Sequence, residues 1–149
     1  MKHRHLACLV VPVLLLSACG EPEDTRPGQP VKHRHDAFVA ILKAFEPMRA
    51  QLKDGQYDAK RFAAQAQRLD ELKDGPWQYF LPDTNYPPSH STEAVWTEPQ
   101  KFEAARKTFF EATAMFVAVA GSGDAEKVTV AYERVYDTCR ECHKVFKKK

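Results

Sequence analysis

The chain has 149 residues, enough for one domain once a targeting segment is set aside. Hydrophobic residues make up 44% and charged residues 28%, so a core can form beneath a soluble surface, and no run of about 20 apolar residues predicts a spanning helix. The formal charge of +2 includes Lys2 and Arg4; without them 20 basic residues face 20 acidic ones, which is not the balance of a nucleic-acid binder.

The N-terminus reads as an export signal. Lys2 and Arg4, with His3 and His5, form a basic start, and Leu6 to Leu16 forms a short apolar run. Leu16-Ser17-Ala18-Cys19 is similar to the lipobox of bacterial lipoproteins. That motif implies acylation of the Cys19 thiol and cleavage before it, so residues 1–18 are expected to leave as a signal peptide. The alternative is an ordinary signal peptide cut near Ala18, with Cys19 incidental. A lipid at Cys19 would tether the protein to a membrane without spanning it. Glu21 to Pro30, with three prolines and a glycine, reads as the rest of a flexible tether over residues 19–30. Cys8 departs with the signal, so only Cys139 and Cys142 remain in the folded body at residues 31–149.

Four amphipathic helices follow. The first, from about Val31 to Leu52, puts Phe38, Ile41, Phe45, Met48 and Leu52 on one face, with Pro47 inside it. The second, from about Asp58 to Lys73, is capped by Asp58 and buries Phe62, Ala66, Leu69 and Leu72. Gly75 to Trp96 is a long connection with four prolines; Trp77 and Phe80 are expected to cover the end of a core. The third helix begins near Thr97, where Thr97-Glu98-Pro99-Gln100 fits a capping box. Phe102, Ala105, Phe109, Ala112, Phe116 and Ala120 line it. The fourth, from about Asp124, carries Val128, Tyr132, Val135, Cys139, Cys142 and Phe146 as its inward stripe. No segment alternates with period two for long enough to argue a strand. The expected fold is all-α, an antiparallel four-helix bundle with a long connection between helices two and three.

Cys139-Arg140-Glu141-Cys142-His143 carries the chemistry. Covalent c-type haem needs two thiols to add across its vinyl groups and an imidazole beside the second thioether to reach iron. CxxCH supplies all three within about one and a half helical turns. A zinc site would need a second Cys/His pair, and only His33, His35 and His90 remain in the mature chain. A thioredoxin-like dithiol expects a βαβ context that is missing here. Export fits haem attachment, which in bacteria takes place outside the cytoplasm. The expectation is one haem on Cys139 and Cys142, with His143 as axial ligand. A sixth ligand from Met or a second His would make a low-spin electron carrier; a vacant position would leave iron open to a small gas.

Several stretches together carry a resemblance. They are Val31-Lys32-His33-Arg34 with Phe38 four residues later, Met48, Pro76-Trp77-Gln78-Tyr79-Phe80, Val95-Trp96 followed by Lys101-Phe102, Gly123-Asp124, and CxxCH three residues before Phe146. From Val31 to Lys149 the chain resembles the cytochrome c′ family, the class II c-type cytochromes. The resemblance implies haem near the end of the fourth helix of a left-handed bundle. It implies Arg34 at a haem propionate and Phe38 at the distal position, which is apolar in members that bind NO or CO. It also implies a homodimer through the first two helices. Where the family often has Arg on the proximal side, four residues after the ligating His, this chain has Lys147, which keeps the charge but not the planar fork.

The expected function is therefore a five-coordinate, high-spin haem protein that binds NO or CO outside the cytoplasm, on the periplasmic face of a membrane. Electron transfer with a redox partner protein is a second, compatible function. The alternatives are a low-spin six-coordinate carrier and a lipoprotein in which haem only holds the bundle together. No acid–base or nucleophile constellation points to an enzyme.

Overall fold

The computed structural model describes residues 22–149; the signal segment and Cys19 lie outside them. Helix α1 spans Pro30–Lys53, α2 Ala59–Leu72, α3 Ala94–Thr97, α4 Pro99–Val119 and α5 Ala125–Phe146. The four long helices form the expected bundle. The only pairing of β type among the described residues is an isolated bridge between Ser91 and Lys147.

Local chemistry explains most helix ends. Asp58 accepts a hydrogen bond from the Arg61 N–H at 2.7 Å, and Asp124 accepts one from the Lys127 N–H at 3.0 Å. Each satisfies a donor that the first helical turn cannot use itself. The capping box expected at Thr97 does not form. Thr97 closes the short α3, its hydroxyl donating to the Glu93 carbonyl, and Glu98 starts α4 without a side-chain cap. Pro99 still occupies the first turn of α4, where its missing N–H costs nothing.

The helical stripes meet as the periodicity predicts. Ile41, Phe45, Met48, Phe62, Ala66, Leu69, Phe109, Ala112, Phe116, Val128, Tyr132 and Val135 are all buried in one cluster. Phe45 stacks on Tyr132 at 4.2 Å between ring centroids, and Phe116 meets Tyr132 edge-on at 6.1 Å. Such pairs contribute about 0.5–1.5 kcal/mol each beyond the area they bury. Gly121 faces Ala63 of α2 closely enough that an added Cβ would lie 3.2 Å from the Ala63 Cβ. The Tyr57 hydroxyl donates to the Ala120 carbonyl at 3.0 Å, which joins the α1–α2 turn to the α4–α5 turn at one end of the bundle.

The opposite end holds the start of α1, the end of α2, the start of α4 and the end of α5. The α2–α4 crossover folds over it. The stretch expected to be a free tether is docked there from Asp24 onward. Asp24 is only 2% exposed. Its Oδ2 accepts from the Val31 and Lys32 N–H groups at 2.9 and 3.2 Å, and its Oδ1 from the Tyr86 hydroxyl at 2.9 Å. Gln29, the residue before Pro30, makes no side-chain cap. A carboxylate five residues upstream thus caps α1 and pins the segment to the crossover.

Candidate haem site

Cys139 and Cys142 lie on one face of α5, both half-buried and neither in a disulfide. Cys139 packs against the core cluster. Burial pushes both thiols up, Cys142 to about 11, so they are neutral at physiological pH. His143 follows at the rim, exposed to solvent. Partial desolvation, and secondarily Lys147, hold its pKa below the usual imidazole value, which keeps the ring a neutral nitrogen donor.

Register places α1 across from this motif. The α1 and α5 chains run antiparallel and meet at the Phe45–Tyr132 stack. Phe38 is seven residues before Phe45 and Cys139 seven after Tyr132, so both lie about 10 Å from that stack in the same direction. Phe38 therefore stands level with Cys139. It is half-buried and meets Trp77 edge-on at 5.5 Å and Phe80 at 6.3 Å. Phe80 meets Phe102 at 4.8 Å, and Phe102 meets Phe146 at 5.1 Å. Trp77 and Phe80 thus cover the core end as expected, and Phe102 and Phe146 complete an aromatic wall. Helix α1 leans mainly on α2 and the crossover while α5 leans on α4, so among the long helices α1 and α5 are the least closely packed neighbours. An apolar macrocycle fits this arrangement: two neutral thiols on one wall, a phenyl ring at the same level on the other, aromatic rings around.

The imidazole nearest Phe38 on α1 is His35, three residues earlier, and it is exposed to solvent. Met48 is 0% exposed in the core, ten residues further along the helix, about 15 Å away. Met115 is exposed on α4. His33 stacks on Tyr79 at 5.3 Å, His35 lies beside Asp36, and His90 is exposed on the crossover.

Arg34 departs most from a surface residue. It is 4% exposed. Its Nη1 donates to the Tyr79 carbonyl and the Thr84 hydroxyl, both at 3.2 Å; its Nη2 donates to the Thr84 carbonyl at 3.2 Å and the Ser89 hydroxyl at 2.8 Å. The guanidinium also lies over Phe80, 4.5 Å from its centroid. Desolvation lowers its pKa, opposed by Tyr86 and Asp24, but a guanidinium keeps its charge. Four of its five N–H groups are committed to the crossover, and Nε is left for another acceptor.

Lys147 is the first residue beyond α5. Its backbone is extended and pairs with Ser91, and its side chain is exposed. It does not continue the helical face that carries His143. The partners of Arg34, the Asp24 cap and the Phe102–Phe146 contact were not apparent in the chain. Only the pairing of Pro30 with a poor capping residue, Gln29, hinted that a distant group must serve the first turn of α1.

An inward-facing CxxCH near the end of the last helix of a four-helix bundle defines a class: c-type haem proteins built on a helical scaffold. Within that class the chain belongs to the cytochrome c′ family, whose profile, described as Cytochrome C', matches residues 29–147. It is similar to cytochrome c' of Rubrivivax gelatinosus, 30% identical over 128 residues that cover 83% of this chain and 98% of that protein. It is similar to cytochrome c' of Alcaligenes xylosoxydans xylosoxydans, 27% identical over 125 residues, 83% of this chain and 97% of that one. Among solved structures, a nitric oxide complex of a variant cytochrome c prime from Alcaligenes xylosoxidans superposes with a TM-score of 0.77 at 29% identity, covering 85% of this chain and 100% of that one. A carbon monoxide-bound variant of the same protein superposes equally well. Cytochromes c′ carry one covalently bound haem c.

Proposed function

We propose that this protein binds NO or CO at a five-coordinate haem iron outside the cytoplasm, on the periplasmic side of a membrane. The haem is attached through Cys139 and Cys142, with His143 as the protein's only axial ligand. The observation that carries this reading is Phe38: a phenyl ring, not a ligand, occupies the level of α1 that faces the haem-binding turn. The solved relatives with bound nitric oxide and carbon monoxide support it.

When bound, the haem supplies an iron that takes a diatomic ligand and cycles between ferrous and ferric states. The chain's own groups do the rest. Phe38, Trp77 and Phe80 exclude water from the distal side. The free Nε of Arg34 meets a propionate, and Lys147 adds positive charge near the proximal rim. Electron transfer to a redox partner is compatible with the same iron. No catalytic acid, base or nucleophile is assigned.

The mature protein begins at Cys19, which is lipidated, and its haem domain spans residues 31–149 with the segment from Asp24 docked onto it. It pairs with a second copy through α1 and α2, where Leu42 is 48% exposed.

An absorption spectrum of the purified ferric and ferrous protein, with and without CO and NO, tests the reading. A high-spin ferric form and a Soret band that moves on adding CO are expected. A low-spin six-coordinate spectrum would overturn the vacant site and favour an electron carrier alone.

A further inference from the structure

Two features meet on one turn of the crossover. Asp24 accepts from the Tyr86 hydroxyl, and Arg26 lies over the Tyr86 ring at 3.7 Å with its Nη1 donating to the Asp83 carbonyl. Three residues on, the Lys148 Nζ donates to the Ser89 carbonyl at 3.3 Å, the Lys148 N–H to the His90 carbonyl at 2.7 Å, and Lys147 bridges Ser91. The point where the N-terminal segment joins the domain and the run Lys147-Lys148-Lys149 are therefore held side by side, at the haem end of the bundle.

Chain length then limits orientation. From Cys19 to Asp24 is five residues, at most about 18 Å of extended chain. Helix α5, with 22 residues, is about 33 Å long. A lipid on Cys19 holds the Asp24 end near the bilayer and leaves the Gly55 and Gly121–Gly123 turns far from it. On the near end, the acidic groups Asp83, Glu98 and Glu141 are each paired with a basic side chain, while no salt bridge joins Lys147 or Lys149 to an acidic group among the described residues. Among the described residues, Glu23, Glu93 and the buried Asp24 carry no ion pair there, so the lysines act as a local contact and not as a uniformly basic face.

We propose that the haem end of this domain rests on the surface of an anionic lipid bilayer, with the crossover turn at Asp83–Thr92 and the Lys147–Lys149 run against the headgroups. This rests on the reading of Cys19 as the lipid anchor. Anionic headgroups attract lysines that lie within a Debye length of the surface. The haem end then faces the membrane, and the far hairpin turns face the aqueous space.

The test is hydrogen–deuterium exchange of the full lipidated holoprotein on vesicles of phosphatidylglycerol with phosphatidylcholine, and on phosphatidylcholine alone, after intact-mass measurement of the mature N-terminus. Expected are an acylated Cys19, and amides at Asp83–Thr92 and Val145–Lys149 that exchange several-fold more slowly on the anionic vesicles. The turns at Gly55 and Gly121–Gly123 should be unaffected. The protection should fall in 1 M salt, where screening shortens to about 3 Å, and in Lys148→Glu/Lys149→Glu, whose far-UV circular dichroism reports that it has folded. An acylated protein protected at the Gly55 end, or nowhere, overturns the orientation and leaves the anchor standing. A Cys19 without lipid overturns the anchor and the orientation with it.

Discussion

Phe38 on α1 and Cys139 on α5 lie at the same level of the bundle, each seven residues from the Phe45–Tyr132 stack. On the proposed reading, this pairing would put an aromatic ring where a sixth iron ligand would have to stand. Phe38→Met should place a thioether there and convert a high-spin spectrum toward a six-coordinate low-spin one. Absorption of the ferric protein reads the change. If that variant stays high spin and binds CO unchanged, Phe38 is not opposite the iron. Phe38→Ala should speed CO association. Because Phe38 is half-buried, its stability cost should stay below the roughly 3–5 kcal/mol of a fully buried Phe.

Met48 supplies the matching control. It is fully buried and about 15 Å along α1 from Phe38. Met48→Leu conserves volume and should cost less than about 1.5 kcal/mol. Its ferric and ferrous spectra should match those of the parent; a lost or shifted low-spin band would make Met48 a ligand.

Attachment is tested at the thiols. Cys142→Ala should leave a single thioether, and the pyridine haemochrome should shift accordingly. An unchanged two-thioether spectrum would refute attachment at this motif.

The Asp24 cap gives a pH-dependent prediction. Burial alone would raise its carboxyl pKa, but hydrogen bonds from Arg26, Tyr86, Lys32 and Val31 outweigh it and hold the pKa below its usual value. A depressed folded-state pKa stabilises the fold fully above the unfolded carboxylate's pKa, near about 3.9, and the gain is lost as pH falls through the folded value. Asp24→Asn should therefore flatten the acid limb of Tm against pH. Asp24→Ala should cost about 2 kcal/mol at neutral pH, through the lost cap and the unpaired Tyr86 hydroxyl. Thermal unfolding between pH 3 and pH 7 checks both, about one unit below the unfolded pKa to well above it.

Arg34 joins the crossover to α1 through four hydrogen bonds. Arg34→Lys keeps the charge but cannot fill that fork. It should destabilise the protein by about 2–3 kcal/mol and make the Leu81–Thr92 segment the first site of limited proteolysis. Unchanged stability together with an altered reduction potential would mean that Arg34 serves the haem alone.

Much of this molecule follows from local rules. The spacing of three and four along each helix puts Phe45, Phe62, Phe116 and Val135 inside, because a side chain's face depends only on its position along its own helix. Asp58 and Asp124 cap the helices they precede, since capping needs only neighbours. Cys139, Cys142 and His143 declare haem chemistry within five residues. The capping box at Thr97 failed because a short helix, α3, competes for the same residues. The family resemblance already named Phe38 for the distal side; its level with Cys139, where the Arg34 fork points and how Asp24 reaches α1 were decided only by the tertiary structure. Each depends on the register between antiparallel helices or on the path of the crossover, and no periodicity within one segment encodes how far it slides against another. The haem motif is thus legible residue by residue, while the ring that faces it is set by where Phe45 meets Tyr132.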